Sequence, residues 1–328
     1  MYSKKLNILM LTDEKLSSEN QCNGVINIIK NKVNSSPNIL HQKLKLQKVK
    51  KLPNFLIYFL LKIKFIDTLK LGKYKPDLII SCGRVTAPFS LLIKKMLSCK
   101  IIHILKPYIL YKEFDLIILP KHDNFPKLPN IIHTHTALVN ESNFKIAHKK
   151  KMAFSYAKIP YSKEIVTILI GGPLGNGTFR VNDSLKLINY LKQNKKKSRF
   201  YCFLFSRRTS EDIKNIFRQN FRKISFIWDE IEPNPYWFCL GLSKYIIVTG
   251  DSISMTSESI ASQKNIFVFM PKKLRPKIKK FQDSLFREKI TREYNGDLFE
   301  YKVTKIKNEY KTLTKKISKL VLPSFMNP

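Results

Sequence analysis

Short apolar runs recur along this chain, separated by stretches with helical periodicity. In the first half the runs are residues 6–11, 78–81, 101–105, 116–119 and 131–132. In the second half they are residues 165–170, 201–205, 224–228, 245–249 and 266–270. Runs this short, bounded by Gly, Pro, Asp or Ser, predict buried parallel strands. Residues 21–33, 87–97, 184–191 and 212–221 instead repeat apolar residues on one helical face. Such alternation predicts an α/β fold built on doubly wound parallel sheets.

The pattern starts twice. Residues 6–12 open one strand–helix series and residues 165–172 open another. Between them residues 141–162 are polar and Lys-rich, with Lys149, Lys150 and Lys151 in a row and Pro160 near the end. The expected architecture is two Rossmann-like domains, residues 1–160 and 161–328, facing a cleft. The second is expected to carry a C-terminal helix over residues 305–320. A length of 328 residues suits two domains, and 44% apolar residues suffice for packed cores. Ligands of such sheets bind at the carboxyl ends of the strands, so the polar residues after each strand are the ones to weigh.

Charge changes the picture less than its size suggests. The formal net charge is +36, but only 10 of the 60 basic residues are Arg. Lys, Ile and Asn are the residues that AT-rich codons supply. A protein that grips phosphates for specificity uses the planar, bidentate Arg fork. Aromatic residues make up 12% of the chain but are not interleaved with Arg, and no recognition motif appears. No nucleic-acid partner is therefore expected. Residues 48–64 mix Val49, Leu52, Phe55, Leu56, Phe59 and Leu60 with lysines. This stretch fits either a core-facing helix or an anionic membrane surface.

The cysteines Cys22, Cys82, Cys99, Cys202 and Cys239 are scattered singly, so neither a disulfide framework nor a metal site is expected. No run approaches the ~20 apolar residues of a membrane-spanning helix, and the first apolar run is too short for a secretory leader. A cytoplasmic location is expected, with peripheral attachment to the inner face of the membrane as the extension.

In the second half, residues 245–249 run into Gly250, Asp251, Ser252, Ser254, Met255 and Glu258. A helix expected to start near Ser254 would aim unpaired N–H groups and a partial positive charge at a phosphate. Glu258, one turn further in, would accept the hydroxyls of a ribose. A plain N-cap explains Ser and Glu, but not Gly-Asp-Ser before them. Residues 165–170 end at Gly171 and Gly172, where a phosphate or sugar can approach the backbone. Gly175 and Gly177 follow closely in a chain with only ten glycines, although neither the dinucleotide nor the P-loop spacing is met. Ser206-Arg207-Arg208-Thr209 follows the next strand, where either Arg can neutralise a diphosphate. Asn234-Pro235-Tyr236 suits a turn into a helix, beside a ligand base.

In the first half, Thr12, Asp13 and Lys15 sit past the first strand, and Glu19, Asn20 and Gln21 are expected to open its helix. Ser81, Gly83, Arg84 and Thr86 repeat the theme after residues 78–81. His122 follows residues 116–119 beside Asp123 and is weighed as a general base against an ordinary loop His. His133 and His135 read as structural. No Ser/His/Asp or Cys/His set assembles from spacing.

Together these segments resemble the mitochondrial-fission family of the plant "elongated mitochondria" factor and its bacterial homologues. The matching pieces are Leu11-Thr12-Asp13 with Glu19-Asn20-Gln21, Pro76-Asp77 through Ser81-Cys82-Gly83-Arg84 to Thr86-Ala87-Pro88, and Phe114-Asp115 to His122-Asp123. They continue with Ile170-Gly171-Gly172-Pro173, Ser206 to Thr209, Asn234 to Tyr236, and Val248-Thr249 through Asp251-Ser252 to Ser257-Glu258. The resemblance implies the two-domain GT-B glycosyltransferase fold. Residues 257–258 are also similar to the donor site of the bacterial lipid-linked N-acetylglucosaminyltransferase, where the matching Glu holds the ribose of a UDP-sugar. The site it implies comprises Gly171, Gly172, Arg207, Arg208, Asp251, Ser252, Ser254 and Glu258. The chain departs from the family at the first turn, where Glu14, Ser17 and Ser18 stand in place of Gly, Gly and His.

Two functions follow as expectations. One is metal- and cofactor-independent transfer of a sugar from a nucleotide-diphosphate donor to a lipid-linked or surface-glycan acceptor. Asp13, Glu19 or His122 would be the base, and Thr12, Lys15, Asn20, Gln21, Ser81, Gly83, Arg84 and Thr86 would lie on the acceptor side. The other is a catalytically silent scaffold that binds a protein partner, as the plant members' role implies.

Overall fold

The central strands are continuous apolar runs because both of their faces are covered. In β1 (Asn7–Thr12), Ile8 and Met10 point into one core while Leu9 and Leu11 point into another, as the two-residue strand period requires. The computed structural model describes residues 5–33, 36–44, 51–63, 71, 73–123, 125, 128–139, 159–160, 162–172, 179–194, 196–228, 230, 234–302 and 307–321. Gly175, Gly177, Pro173, the triple lysine at 149–151, and Lys48, Val49 and Lys64 lie outside the described residues.

The chain divides into two compact units. The first joins residues 1–140 to 306–328, and the second holds residues 141–305. The first unit has the sheet order β2-β1-β3-β4-β5-β6, every adjacent pair parallel. Its further strands are β2 (Asn38–Lys43), β3 (Leu78–Cys82), β4 (Lys100–Ile104), β5 (Leu116–Pro120) and β6 (Ile131–Thr134). Its helices include α1 (Leu16–Lys30), α2 (Asn54–Lys62) and α3 (Ala87–Leu97). Helix α1 packs Cys22, Val25, Ile26 and Ile29 on one face of the sheet. Ile57 and Leu61 of α2 and Phe89 and Ile93 of α3 fill the other.

The second unit comprises β7 (Glu164–Ile170), α4 (Val181–Gln193), β8 (Arg199–Phe205), α5 (Glu211–Phe221), β9 (Phe226–Ile227), α6 (Tyr236–Leu242), β10 (Tyr245–Thr249), α7 (Ile253–Ala261), β11 (Asn265–Phe269), α8 (Pro276–Arg287) and β12 (Arg292–Glu293). Its sheet order is β12-β11-β10-β7-β8-β9, again all parallel. Renumbered from β7, this is the Rossmann order 3-2-1-4-5-6. An aromatic core of Phe179, Phe203, Phe217, Phe221, Phe267 and Phe269 covers one face.

The C-terminal helix α9 (Lys307–Val321) corrects the expected division at residue 160. Its stripe Leu313, Ile317 and Val321 is buried in the core of the first unit with Leu6, Ile26 and Ile29. An apolar stripe specifies that a helix needs a core, not which one. The helix is held there by polar contacts too. Glu309 accepts the His135 backbone N–H at 3.0 Å to each oxygen and pairs with His135 Nδ1. Lys121 Nζ lies 2.6 Å from His135 Nε2.

Several elements depart from the hydrophobic pattern. The edge strand β2 is only partly buried, so it carries few apolar residues. Helix α1 begins at Leu16, ahead of the expected opening at Glu19 to Gln21. Helix α8 was not expected, although Ile278, Phe281 and Leu285 are buried.

Candidate functional site

Each sheet reverses its strand order at one place, and crevices form there at the carboxyl ends. In the second unit that place lies between β7 and β10. Gly171 and Gly172 follow one strand, and Gly250, Asp251 and Ser252 follow the other.

Asp251 ties these strand ends together. The Thr249 hydroxyl donates to its Oδ1 at 2.6 Å and itself accepts the Gly171 N–H at 2.8 Å. The Gly172 N–H donates to Asp251 Oδ2 at 3.1 Å, and Arg208 Nη2 lies 3.9 Å away. Burial raises the Asp251 pKa, and Thr249, Arg208 and Gly172 offset part of that. The two glycines are required by this packing. A Cβ on Gly171 would sit 2.2 Å from both Asp251 oxygens, and one on Gly172 would sit 2.2 Å from the Arg208 carbonyl. Space expected for a ligand at Gly171 is therefore occupied by the Asp251 carboxylate. Thr209 and Ser206 serve the same turn: Thr209 Oγ1 donates to the Gly171 carbonyl at 2.6 Å, and Ser206 Oγ accepts the Arg208 N–H at 3.2 Å. Arg208 Nη1 binds the Gly172 carbonyl at 3.2 Å, whereas Arg207 is exposed.

Helix α7 starts two residues beyond Asp251, which directly precedes its N-cap. Ser252, not Ser254, is the N-cap, and its Oγ accepts the Met255 N–H at 3.3 Å. No acidic side chain occupies the first turn. Ser254 and Met255 are half-buried. Glu258, on the second turn, is half-buried, and its Oε2 accepts the Tyr236 hydroxyl at 2.6 Å. Burial raises its pKa to about 7, although the Tyr236 bond favours the charged form. Asn234 Oδ1 accepts the Tyr236 N–H at 3.0 Å, the expected turn into α6. Tyr236 packs edge-on against Trp237 with centroids 5.2 Å apart. The pairing of Tyr236 with Glu258 was not predicted, because 22 residues separate them in sequence.

The first unit reverses its order between β1 and β3. Asp13 follows β1 and Gly83 follows β3, and a Cβ on Gly83 would lie 3.7 Å from Asp13 Oδ2. Gly83 has φ +98°, which favours glycine. The acidic candidates carry lysine partners: Asp13 pairs with Lys15 at 2.9 Å and Glu19 with Lys43 at 2.8 Å. Several acceptor-side candidates are turned to structural work. Ser81 Oγ is buried 2.7 Å from His103 Nδ1. Arg84 donates to the Leu52 carbonyl at 2.8 Å and to Asn54 at 2.9 Å, locking the start of α2. Thr86 donates to the Gly83 carbonyl at 2.9 Å. Gln21 is buried and donates to the Ser17 carbonyl at 3.4 Å, while Asn20 is half-buried. Lys15 is exposed.

His122 is buried, with Nε2 3.9 Å from Asp123 Oδ1. It follows β5, three strands from β1, or roughly 14 Å at the usual spacing. His122 and Asp13 therefore make no direct dyad. The imidazole next to the first turn is His41 on β2, whose Nε2 lies 2.9 Å from Thr12 Oγ1. Burial lowers its pKa. It escaped sequence reasoning because β2 has no strong apolar signal. Among the described residues, no cluster of three or more His, Cys, Asp or Glu is placed to hold a metal.

Residues 18–320 match the family described as mitochondrial fission ELM1. The chain belongs to that family. One relative, an uncharacterized protein of Rickettsia prowazekii (RP120), is 30% identical over 315 residues, covering 83% of this chain and 86% of that protein. The mitochondrial fission protein ELM1 of Arabidopsis thaliana is 25% identical over 267 residues, 71% of this chain and 61% of that protein. Among solved structures, the UDP-GlcNAc 2-epimerase of Neisseria meningitidis bound to UDP-GlcNAc superposes with a TM-score of 0.53 at 13% identity, over 97% of this chain and 96% of that one. At that identity the likeness establishes the GT-B fold for this ELM1-family chain and no more.

Proposed function

We propose that the second unit binds a nucleotide-diphosphate sugar and that the protein transfers the sugar to a lipid-linked or surface-glycan acceptor. The observation that carries the reading is Glu258. Its half-buried carboxylate is held by Tyr236 on the second turn of a helix whose first turn carries no acid, at the strand-order reversal of a Rossmann sheet. That arrangement suits a ribose on the carboxylate and a diphosphate at the helix end. Exposed Arg207 supplies countercharge, while Arg208 is engaged by Asp251. The GT-B structure bound to UDP-GlcNAc supports the ligand class.

In the transfer, an acceptor oxygen forms a bond to the anomeric carbon. The bond from that carbon to the diphosphate oxygen breaks, and the acceptor proton passes to a base. His41 joins Asp13 and Glu19 as a base to test, since its lowered pKa keeps it neutral at pH 7. The departing diphosphate takes the negative charge, which the α7 N-terminus and Arg207 stabilise. The reaction belongs on the cytoplasmic face of a membrane. A thermal-shift screen of the full chain against nucleoside diphosphates and their sugars tests the reading. A ligand at 100 times its Kd stabilises by about 2.7 kcal/mol, and no shift with any of them defeats it.

A second reading is favoured by the first turn. Ser18 is buried where the family has His, and Asp13 and Glu19 are paired with lysines. The protein is then a silent GT-B scaffold that binds a protein partner. Release of free nucleoside diphosphate from any nucleotide sugar by the purified chain argues against it.

A further inference from the structure

Helix α2 is apolar on two opposite faces. Each residue advances the helix by about 100°, so Ile57 and Leu61 lie roughly opposite Phe55 and Phe59. The first pair is buried in the core. Phe55, Phe59 and Ile63, the last at the C-cap, are 67%, 57% and 55% exposed. A helix that is apolar all round is ordinarily covered on every side, and this one is covered on one.

A second exposed apolar segment follows β4. Asn54, the first residue of α2, donates to the carbonyl of Pro107, which fixes the loop after β4 against the start of the helix. That loop exposes Tyr108 and Leu110, each with positive φ. Lys106 Nζ lies 4.9 Å from the Tyr108 ring centre, and Lys62 Nζ lies 5.0 Å from that of Tyr58. In sequence, the segments flanking the stripe carry charge of almost one sign. Residues 45–76 contain nine lysines and a single acid, Asp67. Lys51 and Lys62, at the two ends of α2, are exposed.

Apolar side chains within a basic surround complement an anionic lipid surface. The rings enter the acyl boundary, and the lysine stems cover apolar surface while their ammonium groups reach the headgroups. At nine residues α2 is about 14 Å long, far short of a span, so it would lie in the plane of the interface.

We propose that the outer face of α2 docks the first unit on an anionic membrane surface. Phe55, Phe59 and Ile63 are the inserted residues and the flanking lysines are the headgroup contacts. This is independent of nucleotide binding, which concerns residues of the second unit.

The test is co-sedimentation of the full chain with vesicles of phosphatidylcholine alone, or with about one third phosphatidylglycerol. Binding is expected to the anionic vesicles only, weakening as salt shortens the screening length. F55S/F59S should reduce vesicle affinity at least about tenfold, and K51E/K62E should reduce it and flatten its salt dependence. Because Phe55 and Phe59 are exposed, the serine variant should keep the wild-type melting temperature and any nucleotide-induced shift. F59W adds a direct readout, a blue shift of emission on anionic vesicles. The proposal is overturned if neither vesicle binds, or if F55S/F59S binds as wild type. It is also overturned if ultracentrifugation finds a self-association that F55S/F59S abolishes while vesicles do not bind.

Discussion

Proton binding at Glu258 should control ligand affinity. Its pKa is raised to about 7 by burial, from an ordinary value of 4.5. About one tenth of the molecules are ionised at pH 6, half at pH 7 and nine tenths at pH 8. Two ribose hydroxyls donate best to the ionised carboxylate. If only that form binds, apparent affinity scales with its fraction and rises about tenfold from pH 6 to pH 8. Calorimetry with UDP-N-acetylglucosamine, whose phosphodiesters do not titrate in this range, measures the rise. At pH 7 binding should also release about half a proton, seen as a heat that varies with the buffer. E258Q should bind more weakly and without pH dependence. Y236F removes a donor that favours the charged form, so its midpoint should move to higher pH. Stability of the free protein runs the other way. Between pH 4.5 and about 7 the unfolded chain loses this proton while the folded chain keeps it. Stability conferred by the raised pKa is complete below 4.5 and is lost as pH rises through 7, by up to about 3 kcal/mol. Affinity that stays flat from pH 6 to 8, or an E258Q protein with the wild-type profile, refutes the reasoning.

G172A places a Cβ against the Arg208 carbonyl and should cost about 2 to 3 kcal/mol in urea unfolding. His103 is buried with a pKa of about 3. The unfolded chain protonates it below 6.5 and the folded chain does not. Stability should therefore fall by about 1.4 kcal/mol per pH unit between 6 and 4 from this group, and H103F/S81A should lose that slope. Leu313→Ala empties part of the core shared with α1. It should destabilise by about 3 kcal/mol, with amide exchange rising in the strands of the first unit. Glu309→Ala removes the acceptor for the His135 N–H and should free α9 to exchange before the rest of that unit, at a cost of about 2 kcal/mol.

The sequence by itself determined the class of fold and the location of the polar turns. Strands buried on both faces must be continuous apolar runs, and β3, β5, β7 and β10 could be read that way to within one residue at either end. The turns after them follow directly, and Gly171, Arg208 and Asp251, expected in those turns, meet at the Asp251 carboxylate. Strand β2 was not legible, because an edge strand buries too little to leave a pattern, and His41 was missed with it.

Only the tertiary structure decided what each polar residue does. Gly171 is glycine because Asp251, 80 positions later, lies against its α-carbon. Arg84, which reads as an anion-binding arginine, spends its guanidinium on the start of α2. The second face of α2 is exposed although its composition matches the first, and α9 returns to a core that begins with Leu6. These outcomes depend on which distant segments meet. Periodicity records the need of one element for a covered face or a paired charge, whereas the partner that meets the need is chosen by packing.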